Sequence, residues 1–300
     1  MMPDTVAVQI AIYALIITSL LVAEHVVSAT PPGEKIKHLS LNSLFIFAVL
    51  PIQIPMSVLC LALAAWSVAS GSGLVHFLPY ADSPWIKYGL MFVFLDLIDY
   101  LYHFTMHRVR FFWRFHAVHH SDLAVDVSTT FREHPGETFL RNVYLITWVF
   151  IVGASPEILI VRQTTQSFFN LFSHASFRLP TGLAGVVSWV FITPNLHHVH
   201  HHYRLPLTNS NYGDVFSIWD RVFGTLSTPA RERPHYRLDT HMSYVRAASF
   251  WQTLLIPFLP GLNGPARAPD AIPVESGQTA ALVTHPLPST TSATLARPRS

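Results

Sequence analysis

The stretch Asp96–His120, DLIDYLYHFTMHRVRFFWRFHAVHH, contains five histidines and decides how the rest of the chain is interpreted. A second histidine-rich stretch, TPNLHHVHHHY, begins at Thr193 and contains five more. Together the two stretches hold ten of the 18 histidines in the chain. We therefore interpret the remaining residues as a scaffold that brings the two stretches together around metal.

The spacing of these histidines predicts two metal ions. Eight of them fall into three groups, each on one face of a helix: His103 and His107; His116, His119 and His120; and His197, His200 and His201. Eight imidazoles exceed what one ion accepts, and neutral imidazole suits zinc, copper, iron and nickel. His198 and His202 would point elsewhere on the same helix, so we predict that they are not ligands.

The composition excludes several classes of protein. Half of the 300 residues are hydrophobic and only 12% are charged, whereas a soluble domain is usually about a quarter charged. Lipid is therefore expected to cover part of the surface. The formal net charge of +2 is too small to indicate nucleic acid binding. Cys60 is the single cysteine, which excludes an intramolecular disulfide and a cysteine-based metal site.

Apolar runs predict an all-α integral membrane bundle of about four membrane segments. Three runs, at 6–23, 41–69 and 85–102, approach or exceed the roughly 20 residues that a spanning helix needs. The first residues, Met-Met-Pro-Asp, contain no Lys or Arg, which favours a retained helix over a cleaved signal peptide. Residues 143–172 are interrupted by Gly-Ala-Ser-Pro at 153–156, which predicts a hairpin that enters and leaves the membrane on one side.

Charge and composition predict the orientation and the domains. Lys35, Lys37 and the arginines between 108 and 132 predict that the histidine-rich helical region caps the bundle on the cytoplasmic side. We expect a multi-pass integral membrane protein with a cytoplasmic catalytic face. The predicted parts are N-terminal membrane helices (1–84), a catalytic domain (85–260) and a disordered tail (261–300) rich in Pro, Ala, Ser and Thr.

Six motifs, in this order, resemble the fatty acid hydroxylase/sterol desaturase superfamily of membrane-bound non-haem di-iron enzymes. The resemblance covers roughly residues 96–225 and rests on DLIDYLYHFTMH, WRFHAVHHSD, FREHPGE, LFSHAS, TPNLHHVHHHY and NYGDVFSIWDRVFGT. It implies that the eight grouped histidines are metal ligands. It also implies that His174, which stands alone in LFSHAS, is a ninth ligand.

The resemblance further implies the chemistry. Two iron ions would use O₂ to hydroxylate or desaturate an unactivated C–H bond of a lipid such as a sterol or a fatty acyl chain. Zinc can replace the native metal, because it binds imidazole sites well. The sequence has no glycine-rich nucleotide loop and no cysteine cluster. We therefore expect a separate electron donor: a reductase, a ferredoxin or a protein of the cytochrome b5 type.

Residues near these motifs have candidate supporting roles. Asp99 lies one helical turn before His103, where a carboxylate can hydrogen-bond a ligating imidazole. The alternative is that Asp99 is a polar residue at the water boundary. His134 in FREHPGE is expected to belong to a structural piece beside the site, and the alternative is that it is a metal ligand. The isolated histidines are expected to be surface or satisfied core residues: His25, His38, His76, His235, His241 and His285.

Two other functions also use clustered histidines. A divalent-metal transporter would place its ligands in broken helices near the bilayer midplane, whereas these histidines lie in arginine-bearing stretches beside the predicted membrane segments. A zinc-dependent hydrolase needs about three protein ligands, which eight or nine histidines exceed. The sequence favours an oxygenase, with the transporter as the alternative.

Overall fold

The computed structural model describes the chain over residues 3–27, 30–77, 83–202, 206–228 and 249–259. Within these ranges the regular elements are helices, together with one isolated antiparallel bridge between Phe191 and Phe216. The predicted all-α fold is confirmed for this part of the chain. His235, His241 and the predicted tail, 261–300, lie outside the described residues. The division of the chain at residues 84 and 260 stays a prediction.

Long helices make up most of the described fold: α1 (Pro3–Val27), α2 (Pro32–Ser70), α3 (Pro84–Arg108), α4 (Arg110–His120), α5 (Pro135–Val152) and α6 (Pro156–His174). Shorter helices follow: α7 (Thr181–Val187), α8 (Pro194–His200), α9 (Ile218–Val222) and α10 (Phe250–Leu254). Single 3-10 turns lie at Leu74–Phe77, Val127–Phe131, Leu207–Asn209 and Ile256–Phe258. The first histidine-rich stretch therefore folds as the end of α3 and all of α4, and the second folds around α8.

Two stretches are long and apolar enough to cross a membrane, Pro32–Phe77 and Trp85–Arg108. They correspond to the second and third predicted runs. The first predicted run lies in α1, whose apolar part, Ala11–Val27, is shorter. Phe47 and Val58 of α2 are 70% and 62% exposed, which suits a surface that lipid covers. The number of membrane segments and the side on which the histidines lie stay predictions.

An apolar core joins α2, α3, α5 and α6. The thiol of Cys60 in α2 is buried with Leu95 of α3, Val149 of α5 and Ile158 of α6. Full burial of one such aliphatic side chain stabilises a fold by about 1.5–3 kcal/mol. This core holds the four helices together, so the histidine-bearing ends of α3 and α6 lie near the start of α5.

The helical conformation is interrupted at Val109, between the first two histidine motifs. α3 ends at Arg108 because Val109 adopts an extended conformation, with φ of −99° and ψ of 115°. α4 begins at the next residue. The break allows α4 to pack against the end of α3, and the ring centroids of His103 and His116 lie 5.0 Å apart.

The turn predicted at 153–156 joins α5 to α6. Gly153 has a φ of 74°, a left-handed conformation that favours glycine. Pro156 starts α6, where its missing N–H costs no helical hydrogen bond. At the other end of α5, Nδ1 of His134 accepts a hydrogen bond from the backbone N–H of Gly136 at 2.8 Å. The helix–turn–helix is confirmed, and His134 has a structural role as the cap of α5.

Replacing Gly153 by alanine is expected to destabilise the protein. The new Cβ would overlap the carbonyl oxygen of Ser72, and a left-handed alanine itself costs roughly 1–2 kcal/mol. The control is Gly185→Ala in α7, where a Cβ meets nothing within 4 Å and alanine is the better helix former. Thermal denaturation in detergent checks both variants. Equal melting temperatures would contradict the prediction.

A buried polar network connects α2 to the loop after α4. The two ring nitrogens of His38 donate to Asp122 and Asp126, both at 2.8 Å. Nε of Arg132 donates to the carbonyl oxygen of Val118 in α4 at 3.1 Å. His38 is therefore a satisfied interior residue, as predicted. The network holds the C-terminal end of α4, where the HxxHH motif lies.

Candidate metal centre

All nine predicted ligands meet in two adjacent groups of imidazoles. Group A contains His103, His107, His116, His120 and His200, and group B contains His119, His174, His197 and His201. Within each group the candidate ligand atoms lie within 4.8 Å of one another. The groups adjoin, since the ring centroids of His120 and His201 are 4.5 Å apart. The structure thus brings the two histidine-rich stretches together; whether the nine residues bind metal stays a prediction.

In group A the Nδ1 atoms of His103, His107, His116 and His200 have protein partners. Nδ1 of His103 donates to the carbonyl oxygen of Tyr212 at 3.0 Å, and Nδ1 of His200 donates to that of Ser210 at 2.8 Å. The Nε2 atoms of three rings are buried and have no hydrogen-bond partner among the described residues: His107, His120 and His200. Since a carbonyl oxygen only accepts, the proton of His103 and of His200 lies on Nδ1 and the lone pair lies on Nε2.

In group B, His174 also directs Nδ1 to a backbone carbonyl oxygen and Nε2 to the other rings of its group. Nδ1 of His174 donates to the carbonyl oxygen of Asn170 at 2.7 Å. Its Nε2 lies 3.0 Å from Nε2 of His119, 3.0 Å from that of His197 and 3.1 Å from that of His201. The four Nε2 atoms of group B therefore converge on one point.

These donor sets fit one metal ion in each group. Two imidazole nitrogens bound to the same ion at about 2.0–2.1 Å lie about 2.8–3.4 Å apart, the shorter distances in octahedral and the longer in tetrahedral geometry. The Nε2 atoms of His103 and His116 are 3.2 Å apart, and those in group B are similarly spaced. Lone pairs this close repel one another in a buried site, and a shared cation removes the repulsion. The all-nitrogen set suits iron, zinc or copper rather than magnesium or calcium.

Burial keeps the imidazoles of His119, His197 and His200 neutral. It lowers the pKa of His119 and His197 well below the usual value, and the nearby His174 lowers both further. Burial, followed by the proximity of His116, lowers the pKa of His200 to about 3. At neutral pH these rings are in the deprotonated form that binds metal, so no proton has to leave before an ion binds.

The carboxylate next to a site imidazole is not the predicted one. Asp99 forms an ion pair with Arg162 of α6, whose Nε donates to Oδ2 at 2.9 Å. The structure instead places Glu137 at the site: Nδ1 of His116 donates to Oε1 of Glu137 at 2.6 Å. The role predicted for Asp99 is therefore corrected to an ion pair between α3 and α6, and sequence reasoning missed Glu137.

His198 lies outside both groups, as predicted. It is 2% exposed, and its Nε2 donates to the carbonyl oxygen of His174 at 3.4 Å. His202 also belongs to neither group. His198 therefore provides a buried histidine directly beside His197 that is not part of the candidate centre.

A cavity of about 350 Å³ borders both groups. Its wall includes His103 and His116 of group A, and His119, His174 and His197 of group B. The rest of the wall comes from α1, α3, α5, α6, residues 130–133 before α5 and residues 213–214. A molecule bound in this cavity can therefore reach both groups at once.

The region that is similar to known proteins is the one that contains groups A and B. Residues 88–225 match the model of the fatty acid hydroxylase family. An alkylglycerol monooxygenase of Caenorhabditis elegans is 31% identical over 58% of this chain and 34% of its own length. The ornithine lipid hydroxylase OlsE of Rhizobium tropici is 30% identical over 62% of the chain and 54% of its own.

A more distant relative is the human cholesterol 25-hydroxylase, 25% identical over 45% of this chain and 50% of its own length. The chain thus spans about a third to a half of the length of these curated relatives. No solved structure matches the chain. The matched region contains all nine histidines of groups A and B, and each of these three relatives is named for hydroxylation or oxygenation.

Proposed function

We propose a function from the premise that this chain belongs to the fatty acid hydroxylase family: it is a membrane-bound oxygenase that uses O₂ to hydroxylate an unactivated C–H bond of a lipid. The observation that supports this most is the pair of imidazole groups beside one cavity. The names of the relatives favour hydroxylation over desaturation. They name different lipids, so the substrate class needs a separate argument.

Groups A and B would each hold one iron ion. Iron held by imidazole supplies the activation of O₂. The protein's own contribution is to hold the rings: backbone carbonyl oxygens fix His103, His174 and His200 with their lone pairs inward. Burial excludes water from Nε2 of His107, His120 and His200. A substrate bound in the cavity would have its C–H bond beside both groups.

The membrane arrangement is part of the proposal. α2 and α3 would span the bilayer, α1 would cross or enter it, and the hairpin of α5 and α6 would enter and leave on one side. Both imidazole groups would then lie at the cytoplasmic surface, in a catalytic domain covering residues 85–260. Electrons would come from a separate reductase, ferredoxin or cytochrome b5 type protein. The transporter alternative is less well supported, because transporter ligands lie near the bilayer midplane, whereas His103 and His107 lie in the last two turns of α3 and the other seven histidines lie outside both candidate spans.

Metal content and lipid products test this function. The full chain, purified after iron-replete expression, is expected to contain two metal ions, measured by mass spectrometry of the metals. Cells that express it are expected to accumulate a lipid that has gained one oxygen atom, and only in the presence of O₂. Zinc in place of iron would not contradict the proposal. Clearly fewer than two ions, or no O₂-dependent lipid product, would contradict it.

A further inference from the structure

Tyr212 packs directly against the imidazoles of group A. Its ring centroid lies 5.2 Å from that of His107, 5.6 Å from that of His103 and 5.7 Å from that of His200. The side chain is fully buried, and it is not among the described residues that line the cavity beside the two groups. Tyr212 therefore contacts the candidate metal centre through its histidines and not through the cavity.

A second tyrosine continues this contact toward the surface. The ring centroids of Tyr100 and Tyr212 are 6.1 Å apart. The ring of Phe223 is stacked on the other side chain of this pair, Tyr100, with centroids 5.2 Å apart. Tyr100 is 1% exposed, whereas Phe223 is 51% exposed. One aromatic ring therefore separates Tyr100 from the protein surface, and one ring separates it from the histidines of group A.

The phenol of Tyr100 has a route for its proton. Oη of Tyr100 lies 2.9 Å from Oγ1 of Thr225, which itself donates to Oδ1 of Asp220 at 2.7 Å. A hydroxyl has one hydrogen to donate, so Tyr100 is the donor in its contact with Thr225. Asp220 also accepts the backbone N–H groups of Tyr212 and Gly213, as an ionised carboxylate does. The proton of Tyr100 can therefore move to Thr225 while the proton of Thr225 moves to Asp220.

Two other oxidisable rings beside group A lack such a route. Oη of Tyr212 is buried without an acceptor among the described residues, and Arg108, which lies near it, can only donate. Trp113 packs against His107 with ring centroids 4.9 Å apart, and its Nε1 is also buried without a partner among these residues. Removing an electron alone leaves a buried positive charge, which is costly unless a proton leaves as well. Of the three rings, Tyr100 therefore loses an electron most readily.

We propose that Tyr100 is a one-electron donor to the metal pair, and that it removes oxidising equivalents that remain there when O₂ reacts in the absence of a lipid. This inference rests on the proposed function, in which O₂ is the oxidant. One electron passes from Tyr100 through the ring of Tyr212 to the ion proposed for group A. The phenolic proton moves to Thr225 as the proton of Thr225 moves to Asp220, so Tyr100 becomes a neutral radical. The separate electron donor then returns an electron at the surface beside Phe223, and the protons move back.

Electron paramagnetic resonance of the full iron-loaded protein tests the inference without lipid turnover. The reduced protein, in detergent without added lipid, is mixed with O₂ and frozen. A tyrosyl radical is expected, identified by a narrower signal in protein that contains ring-deuterated tyrosine. Tyr100→Phe keeps the ring but has no O–H group, so it is expected to lose the signal. The absence of a radical in the wild type, or an equal yield in Tyr100→Phe, would overturn the inference.

A tyrosine on the same helix provides the control. Tyr88 lies in α3 and is 37% exposed, and Tyr88→Phe is expected to retain the radical. The same two variants test the consequence for the protein. After exposure to reductant and O₂ without lipid, oxidation of Trp113 is measured by peptide mass spectrometry. It is expected to be several-fold greater in Tyr100→Phe than in Tyr88→Phe, because Trp113 also contacts group A. Equal oxidation would overturn the role of Tyr100 in removing oxidising equivalents.

A matched pair of variants tests the proton route. Thr225→Ser keeps the hydroxyl that links Tyr100 to Asp220, whereas Thr225→Val keeps the shape of the side chain without the hydroxyl. The radical yield per bound iron is expected to stay in Thr225→Ser and to be lost in Thr225→Val. If Thr225 had only a structural role, Thr225→Val would lower the melting temperature and leave that yield unchanged, and this result would overturn the inference.

The radical and the lipid product also separate the inference from the proposed function. If a lipid gains oxygen but no radical depends on Tyr100, the function stands and the one-electron donor fails. If the radical forms at Tyr100 but no lipid is ever hydroxylated, the proposed function fails and the one-electron donor stands. A protein that binds no iron would contradict both.

Discussion

Replacing His197 by alanine is expected to remove one of two bound metal ions and to lower lipid hydroxylation by more than about 100-fold. His197 is one of four imidazoles in group B, and its Nε2 lies 3.0 Å from that of His174. Loss of one ring leaves three ligands, and even residues that only support a ligand change metal affinity or activity by about 10–100-fold. Metal content per chain and rate of product formation are measured on the same preparation.

The neighbouring residue provides the control. His198 is equally buried but belongs to neither group, so His198→Gln is expected to retain both ions. A variant His197→Ala that kept two ions and normal turnover would contradict the assignment of group B. Loss of metal in both variants would indicate a general defect in folding, which circular dichroism of the purified proteins distinguishes.

The meeting of the two histidine-rich stretches could be predicted from the sequence, but the division into two groups could not. The spacing of the HxxHH motif predicts one helix face, and α4 is a helix there. His119 nevertheless belongs to group B, while His116 and His120 belong to group A. Neighbouring helical positions differ by about 100° around the axis. Which of the two groups a ring belongs to depends on the packing of α6 and α8, which local spacing does not describe.

The partners of Asp99 and Glu137 could not be predicted from local sequence spacing either, because they lie on other helices. Asp99 lies one turn before His103, but Arg162 approaches it from another helix, 63 residues away in sequence. Glu137 lies in the first turn of α5, where an acidic residue is expected for a simpler reason: it interacts favourably with the helix dipole. Because the helix dipole already accounts for an acidic residue at this position, the sequence does not indicate the contact of Glu137 with His116, 21 residues away.

Replacing Glu137 by alanine is expected to lower the metal affinity of group A, and with it lipid hydroxylation, by about 10–100-fold. Oε1 of Glu137 accepts the Nδ1 proton of His116 at 2.6 Å, and both residues are buried. The carboxylate therefore fixes the orientation of the ring and makes its Nε2 a stronger donor to metal. Glu137→Gln keeps an acceptor but loses the charge, so it is expected to lie between the wild type and Glu137→Ala.

The measurement is competition with a metal chelator, which reports affinity rather than folding. Glu157→Gln is the control, because Glu157 is exposed at the first turn of α6 and belongs to no site. If Glu137 had only a structural role, Glu137→Ala and Glu137→Gln would lower the melting temperature of the protein and leave the metal affinity of the folded fraction unchanged. A graded loss of affinity, smallest in Glu157→Gln, then Glu137→Gln, then Glu137→Ala, is the result that the contact with His116 predicts. Equal affinities in all three variants would show that His116 holds its orientation without the carboxylate.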